Sequence, residues 1–134
     1  MFDERPDIQE RLASELVIWM TTVDGAGQPQ TSPVWFLAQD ELFVVYSLAR
    51  TPRTRNIATN PLVSLNLNSS PTGGRLAIIE GVAEVVAEGV PADQDPEYLA
   101  KYDQALVDEG MTPQSFARDY PVRIHVRPTR LRAP

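Results

Sequence analysis

Three arginines set the first question. The stretch from Ser47 to Pro61 reads SLARTPRTRNIATNP and places Arg50, Arg53 and Arg55 within six positions, although the 134-residue chain carries eighteen carboxylates against twelve basic residues. No Asp or Glu interrupts the run, and three threonines, one serine and two asparagines are mixed into it. Thr51 can cap a helix whose first position is Pro52, so free backbone N–H groups, the positive end of a helix dipole, hydroxyls and guanidinium forks converge there. That combination is the outline of a phosphate site. A solvated helix whose arginines pair with the abundant carboxylates fits the same spacing, and the residues alone leave both readings open.

Other residues offer less. His125 is the only imidazole and lies on the polar face of a strand with no acid or nucleophile beside it, which favours a structural role. Trp19 and Trp35 could stack on a planar ligand or fill a core, and Trp35 is the better placed, next to Pro33. Glu80, before Gly81, reads either as a ligand contact or as an exposed carboxylate at a bend. Arg123, Arg127, Arg130 and Arg132 form a basic series suited to acidic neighbours or a partner subunit. Cysteine is absent, which removes thiolate catalysis, disulfides and cysteine-held metals together. No motif supplies a nucleophile, a metal cage or an acid–base pair, so if the chain is an enzyme a cofactor carries the chemistry.

The elements that must position these residues are short. Ile8, Leu12 and Leu16 recur at helical spacing after Pro6. LVIWMTTV, Leu16 to Val23, then reads as a strand, Asp24-Gly25-Ala26-Gly27 as a hairpin turn, and TSPVWFL as its return, with Pro33 confined to an edge or a bulge. Residues 38–41 turn the chain into LFVVYS, and the helix from Pro52 ends near Thr59. Val63, Leu65 and Leu67 alternate with polar residues, NSSPTGG makes a long turn, and Leu76 to Val86 is a strand bent or bulged at Glu80-Gly81. Asp95-Pro96 starts the clearest helix, Gly110 follows its end, a short helix runs from Thr112-Pro113 to before Pro121, and Val122, Ile124 and Val126 mark a last strand. About six strands with short turns and small flanking helices predict a mainly β (α+β) antiparallel barrel over residues 1–134, one domain.

The totals narrow the partners. A formal charge of −6 argues against general nucleic-acid binding and leaves small anions. The longest apolar run, Leu16 to Met20, is far short of the roughly 20 residues that cross a bilayer, and the acidic start MFDERPD is unlike a secretory signal. A cytoplasmic protein without a membrane partner is expected.

The order and spacing of IWMTTVDGAGQPQTSPVWF, VYSLARTPRTRNIATNPLVSL, IIEGVAEV and RIHVRPTRLR resemble the pyridoxamine-5'-phosphate-oxidase-like split β-barrel family, in particular its actinobacterial branch of coenzyme F420-dependent oxidoreductases. The resemblance covers nearly the whole chain and implies a six-stranded split barrel, a homodimer with cofactor clefts between subunits, and a small-molecule substrate. It implies that Ser32, Pro33, Val34 and Trp35 lie along a flavin-like ring, that Tyr46 and Ser47 form an aromatic-hydroxyl pair beside it, and that Thr51 and Arg53 hold its phosphate. Arg55, Asn56, Arg75 and Glu80 follow as further cofactor contacts.

Two positions depart from the family pattern. Where the oxidases carry an Arg-Gln pair, this chain reads Arg75-Leu76, which counts against pyridoxamine phosphate oxidation. Where deazaflavin members carry lysine, it has Arg53, a forked rather than compact charge. The resemblance therefore implies hydride transfer between F420 and a small unsaturated substrate, with the protein orienting it and excluding water. An FMN-dependent oxidase or reductase in the same cleft and a cofactor carrier without turnover are the two rivals; haem binding, resting on His125 alone, is the weakest.

Overall fold

In the computed structural model, which describes residues 1–39 and 41–134, helix α1 (Pro6–Ser14) leads into the hairpin β1 (Val17–Val23) and β2 (Pro29–Trp35). Strands β3 (Leu37–Gln39) and β4 (Leu42–Ser47), helix α2 (Pro52–Thr59), and strands β5 (Leu62–Asn66) and β6 (Ile78–Val85) follow. A 3₁₀ turn (Ala92–Gln94), helices α3 (Pro96–Asp108) and α4 (Pro113–Asp119) and the long β7 (Val122–Arg132) complete the chain. No helix among the described residues is long and apolar enough to cross a membrane.

The strands form one antiparallel sheet in the order β2-β1-β5-β6-β7-β4-β3, curled into a split barrel with helices at its flanks. Seven strands stand where six are expected, because the single run TSPVWFL divides at Phe36. Before Phe36 the chain pairs with β1, Val17 facing Trp35; after it, Leu37 faces Val44 of β4. The two edges of the sheet are therefore consecutive in sequence. One residue whose own amide joins neither ladder makes the corner, and Tyr102 of α3 satisfies it: the phenol accepts from Phe36 N at 2.6 Å and lies 2.9 Å from Phe36 O and 2.7 Å from Leu16 O, to which it donates. Lys101, the next residue back, donates to Phe36 O at 2.9 Å and to Leu12 O at 3.0 Å.

Other expectations shift in detail. Leu16 lies beyond α1 and is exposed, since the helix stops at Ser14 and the next residues extend toward β1. Pro33 sits on an edge strand as its missing donor requires, but without a bulge, because the β1–β2 register is continuous from Val17↔Trp35 to Val23↔Pro29. Of the turn expected over residues 38–41, Ala38 and Gln39 belong to β3, and Asp40 is outside the described residues. The bulge at Glu80-Gly81 is present as a register shift against β7. A Cβ on Gly81 would lie 2.7 Å from Val126 Cγ1 and 2.9 Å from the Arg127 carbonyl, so only glycine lets the two strands approach this closely.

Burial explains the patterning. Ile18, Met20 and Thr22 of β1 point inward with every second residue, and they join Phe43, Val45, Leu65, Ile79, Ile124 and Val126 in the barrel core, closed by Ile8 and Leu12 of α1 and Ile57 of α2. Strand β4 is covered on both sides, which is why LFVVYS is continuous rather than alternating. Its Val44 and Tyr46 face a second core, built with Tyr98, Tyr102 and Leu106 of α3 and Phe116 of α4. The two cores meet across one strand, and the candidate site opens beside it.

Candidate functional site

Between the end of β2, the end of β4, the start of α2 and helix α4 lies a cleft of about 390 Å³. Arg53 defines its polar end. As expected, Thr51 caps α2, its hydroxyl accepting from Thr54 N at 3.2 Å, and Pro52 sits at the first helical position. That start fixes the direction in which Arg53 leaves the helix. Its Nη1 donates to Ser47 Oγ at 2.9 Å and its Nη2 to Ser32 Oγ at 2.6 Å, so one guanidinium ties the ends of two strands to the helix. Nε is buried without a hydrogen-bond partner, and no carboxylate among the described residues pairs with the group.

A half-buried cation held only by neutral hydroxyls is an unusual expense for a fold with a surplus of carboxylates. Burial pulls the guanidinium below its usual proton affinity, yet arginine starts so high that it stays charged. An anion entering the cleft would meet that charge, the Ser32, Ser47 and Thr51 hydroxyls and the positive end of α2. The residues present thus fit a phosphate-bearing cofactor, and the reading that pairs these arginines with carboxylates does not hold for Arg53. Arg50 and Arg55 are exposed and outside the cleft lining, and neither pairs with a carboxylate among the described residues.

The other end of the cleft is apolar. Pro33, Val34 and Trp35 of β2 form one side, and Met111, Phe116 and Tyr120 from around α4 face them. Trp35 stacks on Tyr102 at 4.6 Å and 10° and on Phe116 at 5.5 Å and 17°, so it lines the cleft and fills the second core at once. Phe116 stacks in turn on Tyr120 at 4.6 Å. This flat aromatic wall suits a planar ring system and excludes water from it.

Tyr46 presents its ring to the cleft while its hydroxyl turns behind the wall, donating to Val90 O at 2.8 Å and accepting from Arg123 Nη1 at 2.5 Å. Burial raises its proton affinity above the ordinary phenol value, so it stays protonated. His125 accepts from Arg123 Nε at 2.9 Å through Nε2.

Of the twelve expected contacts, Pro33, Val34, Trp35, Tyr46, Ser47, Thr51 and Arg53 line the cleft, and Ser32 touches it through Arg53. Asn56 lies beneath: it is buried and donates to Thr22 Oγ1 at 2.9 Å and Gln30 Oε1 at 2.8 Å, holding α2 onto the hairpin. Arg55 is exposed on α2, and Arg75 and Glu80 are elsewhere. Arg75 has a left-handed φ of 55° beside α1, its carbonyl accepting from Arg11 Nη1 at 2.8 Å. Glu80 pairs with Arg132 at 3.4 Å on the outer face of the sheet. Sequence reasoning missed Val17, Leu48, Met111, Phe116 and Tyr120. The spacing of Phe116 and Tyr120 on one helix face was visible, but nothing in it says what that face covers.

Comparison with known proteins places these features. Residues 5–133 match the sequence model of the family described as pyridoxamine 5'-phosphate oxidase. A solved F420 reductase is similar at 28% identity, covering 92% of this chain and 94% of its own, with a TM-score of 0.71. A structure titled as HutZ, a haem storage protein from Vibrio cholerae, shares the fold at 19% identity and a TM-score of 0.69, over 96% of this chain and 93% of its own. A putative pyridoxamine 5'-phosphate oxidase from Listeria innocua shares it at 20% and 0.68, with 98% of each chain covered. No curated protein matches.

Proposed function

The chain belongs to the pyridoxamine 5'-phosphate oxidase family, and on that footing we propose that it is an oxidoreductase that binds the deazaflavin coenzyme F420 in the Arg53 cleft and acts on a small unsaturated substrate. The observation that carries this reading is the half-buried guanidinium of Arg53, without a carboxylate partner among the described residues, facing a cleft whose far end is aromatic. Similarity to an F420 reductase over nearly the whole chain supports the choice of deazaflavin.

When bound, such a cofactor supplies the hydride. The chain does the rest: Arg53, with Ser32, Ser47 and Thr51 around it, holds the phosphate; Pro33 to Trp35 give one flat side for the ring; Phe116 and Tyr120 cover it from α4. Of the two phenols that line the cleft, Tyr46 and Tyr120, Tyr46 has its hydroxyl engaged behind the wall. In this reading the cleft is completed by a second copy of the chain, its open side lying beside Leu48, an exposed apolar residue at the cleft margin.

Titration of the purified protein with oxidised F420 and with FMN, followed by calorimetry, tests the reading. Tighter binding of F420, with oxidation of its reduced form by some acceptor, supports it. Tighter binding of FMN moves the assignment to the flavin enzymes, and tight binding without turnover to a carrier. Failure to bind either would end the cofactor assignment.

A further inference from the structure

Behind the cleft wall is a buried polar cluster that cofactor binding leaves unexplained. Arg123 of β7 is its centre. Only 12% of its side chain is exposed. It donates through Nη1 to Tyr46 Oη at 2.5 Å and to Asp95 Oδ2 at 3.0 Å, and through Nε to His125 Nε2 at 2.9 Å. Asp95 is equally enclosed, and its other oxygen caps α3 by accepting from Tyr98 N at 3.2 Å. Gly89 packs flat on the arginine: a Cβ there would lie 2.9 Å from Arg123 Cδ and 3.0 Å from its Cβ. The aliphatic stem of Arg123 therefore has no slack on that side.

We propose that Arg123 is a positioning residue for the cleft, fixing the Tyr46 ring and the start of α3 in place, and that its bond to His125 makes this placement depend on the protonation of the imidazole. An imidazole can accept at Nε2 only while that nitrogen carries no proton. Protonation replaces the acceptor with a donor and sets a second cation against a guanidinium whose aliphatic stem is packed against Gly89. The strain falls on the bonds to Tyr46 and Asp95, one of which sets the cleft wall and the other the helix leading to Phe116 and Tyr120.

The charged neighbours of His125 set where the change occurs. Arg123 and Arg127 lie on its own strand, Glu84 faces it from β6, and β4 opposes it with the uncharged Val44 and Leu42. Burial first, then the two arginines, hold the imidazole below its ordinary proton affinity, with Glu84 opposing. The bond to Arg123 is thus present while Nε2 carries no proton and is lost as the pH falls below the ordinary imidazole range.

The proposal uses the cofactor reading only for its consequence, so two experiments separate them. In the ligand-free protein, NMR signals of the Tyr46 ring and the Tyr98 amide should shift with the titration of His125, and should be flat over that range in His125→Gln, whose side-chain oxygen accepts without titrating. Signals that ignore His125, or that move identically in the variant, would overturn the proposal. In FMN titrations carried from neutral pH down through the His125 transition that NMR locates, wild-type affinity should fall about 5-fold or more beyond the fall in His125→Gln. The comparison is needed because a phosphate also titrates in that range. Equal falls in the two proteins would overturn the link to the cleft. Coupled NMR signals without binding of FMN or F420 would support the device and refute the cofactor assignment.

Discussion

The Tyr102 hydroxyl grips the Phe36 peptide at both ends, accepting from its nitrogen at 2.6 Å and lying within donating distance, 2.9 Å, of its oxygen. Sixty-six positions separate the two residues. Where the chain leaves β1 for β4, a phenol stands in for the missing strand.

Removing that hydroxyl should cost stability without changing the shape of the core. Tyr102→Phe leaves the buried Phe36 N–H and the Leu16 carbonyl short of a partner, while Phe36 O keeps Lys101, and we expect a loss of about 1–3 kcal/mol. Urea denaturation of the variant measures it; a loss within error of zero would mean that water replaces the phenol at the corner.

Arg53 should behave in the opposite way. Arg53→Met removes a half-buried cation that no carboxylate offsets, so the ligand-free protein should melt at an equal or higher temperature. Binding of F420 or FMN to the same variant should weaken by about 1.5–3 kcal/mol, the worth of a charged hydrogen bond. A lower melting temperature with unchanged affinity would mark Arg53 as a structural residue.

Lys101 predicts a pH dependence. Burial lowers its ammonium from the ordinary 10.5 to about 8, against the partly opposing charge of Glu15. Between about pH 8 and 10.5 the unfolded chain holds the proton that the folded chain has released, so this group makes stability rise with pH through that window. Below pH 8 both states are charged and the cost of burying the charge is complete. Chemical denaturation at pH 8 and 9.5 should show the rise in wild type and its absence in Lys101→Met.

Gly81 is the tightest point of the sheet. Gly81→Ala drives a methyl group to 2.7 Å from Val126 and 2.9 Å from the Arg127 carbonyl, and the expected loss is about 1–3 kcal/mol, since a backbone atom cannot step aside cheaply. The same substitution at the open Gly25, where nothing lies within 4 Å, is the control and should change the melting temperature little.

How much of this was legible depends on how local the signal is. Caps and turns were read where they stand, as at Thr51-Pro52, Asp95-Pro96 and Thr112-Pro113, because each is decided by neighbours in sequence. The bulge at Glu80-Gly81 was visible for the same reason. The corner at Phe36 was not, since the run TSPVWFL is uniformly strand-like and only the distant Tyr102 and the pairing of Leu37 with Val44 divide it. Seven expected contacts line the cleft directly, but Arg55, Arg75 and Glu80 fall outside it, because resemblance ranks positions without saying which way they face. The facing wall of Met111, Phe116 and Tyr120 comes from α4 and the residues flanking it, a helix that the sequence marks and leaves without a stated partner.

The place of β7 in the sheet governs the order in which the molecule can come together. It lies between β6 and β4, so Tyr46 waits for Arg123, 77 positions further along, before its strand gains its long-range partner. A chain emerging from the ribosome must hold LFVVYS, apolar on both faces, without its mate until β7 has been made. That delay leaves β4 with only the short β3 as a strand partner, and open to wrong pairing, until β7 has been made.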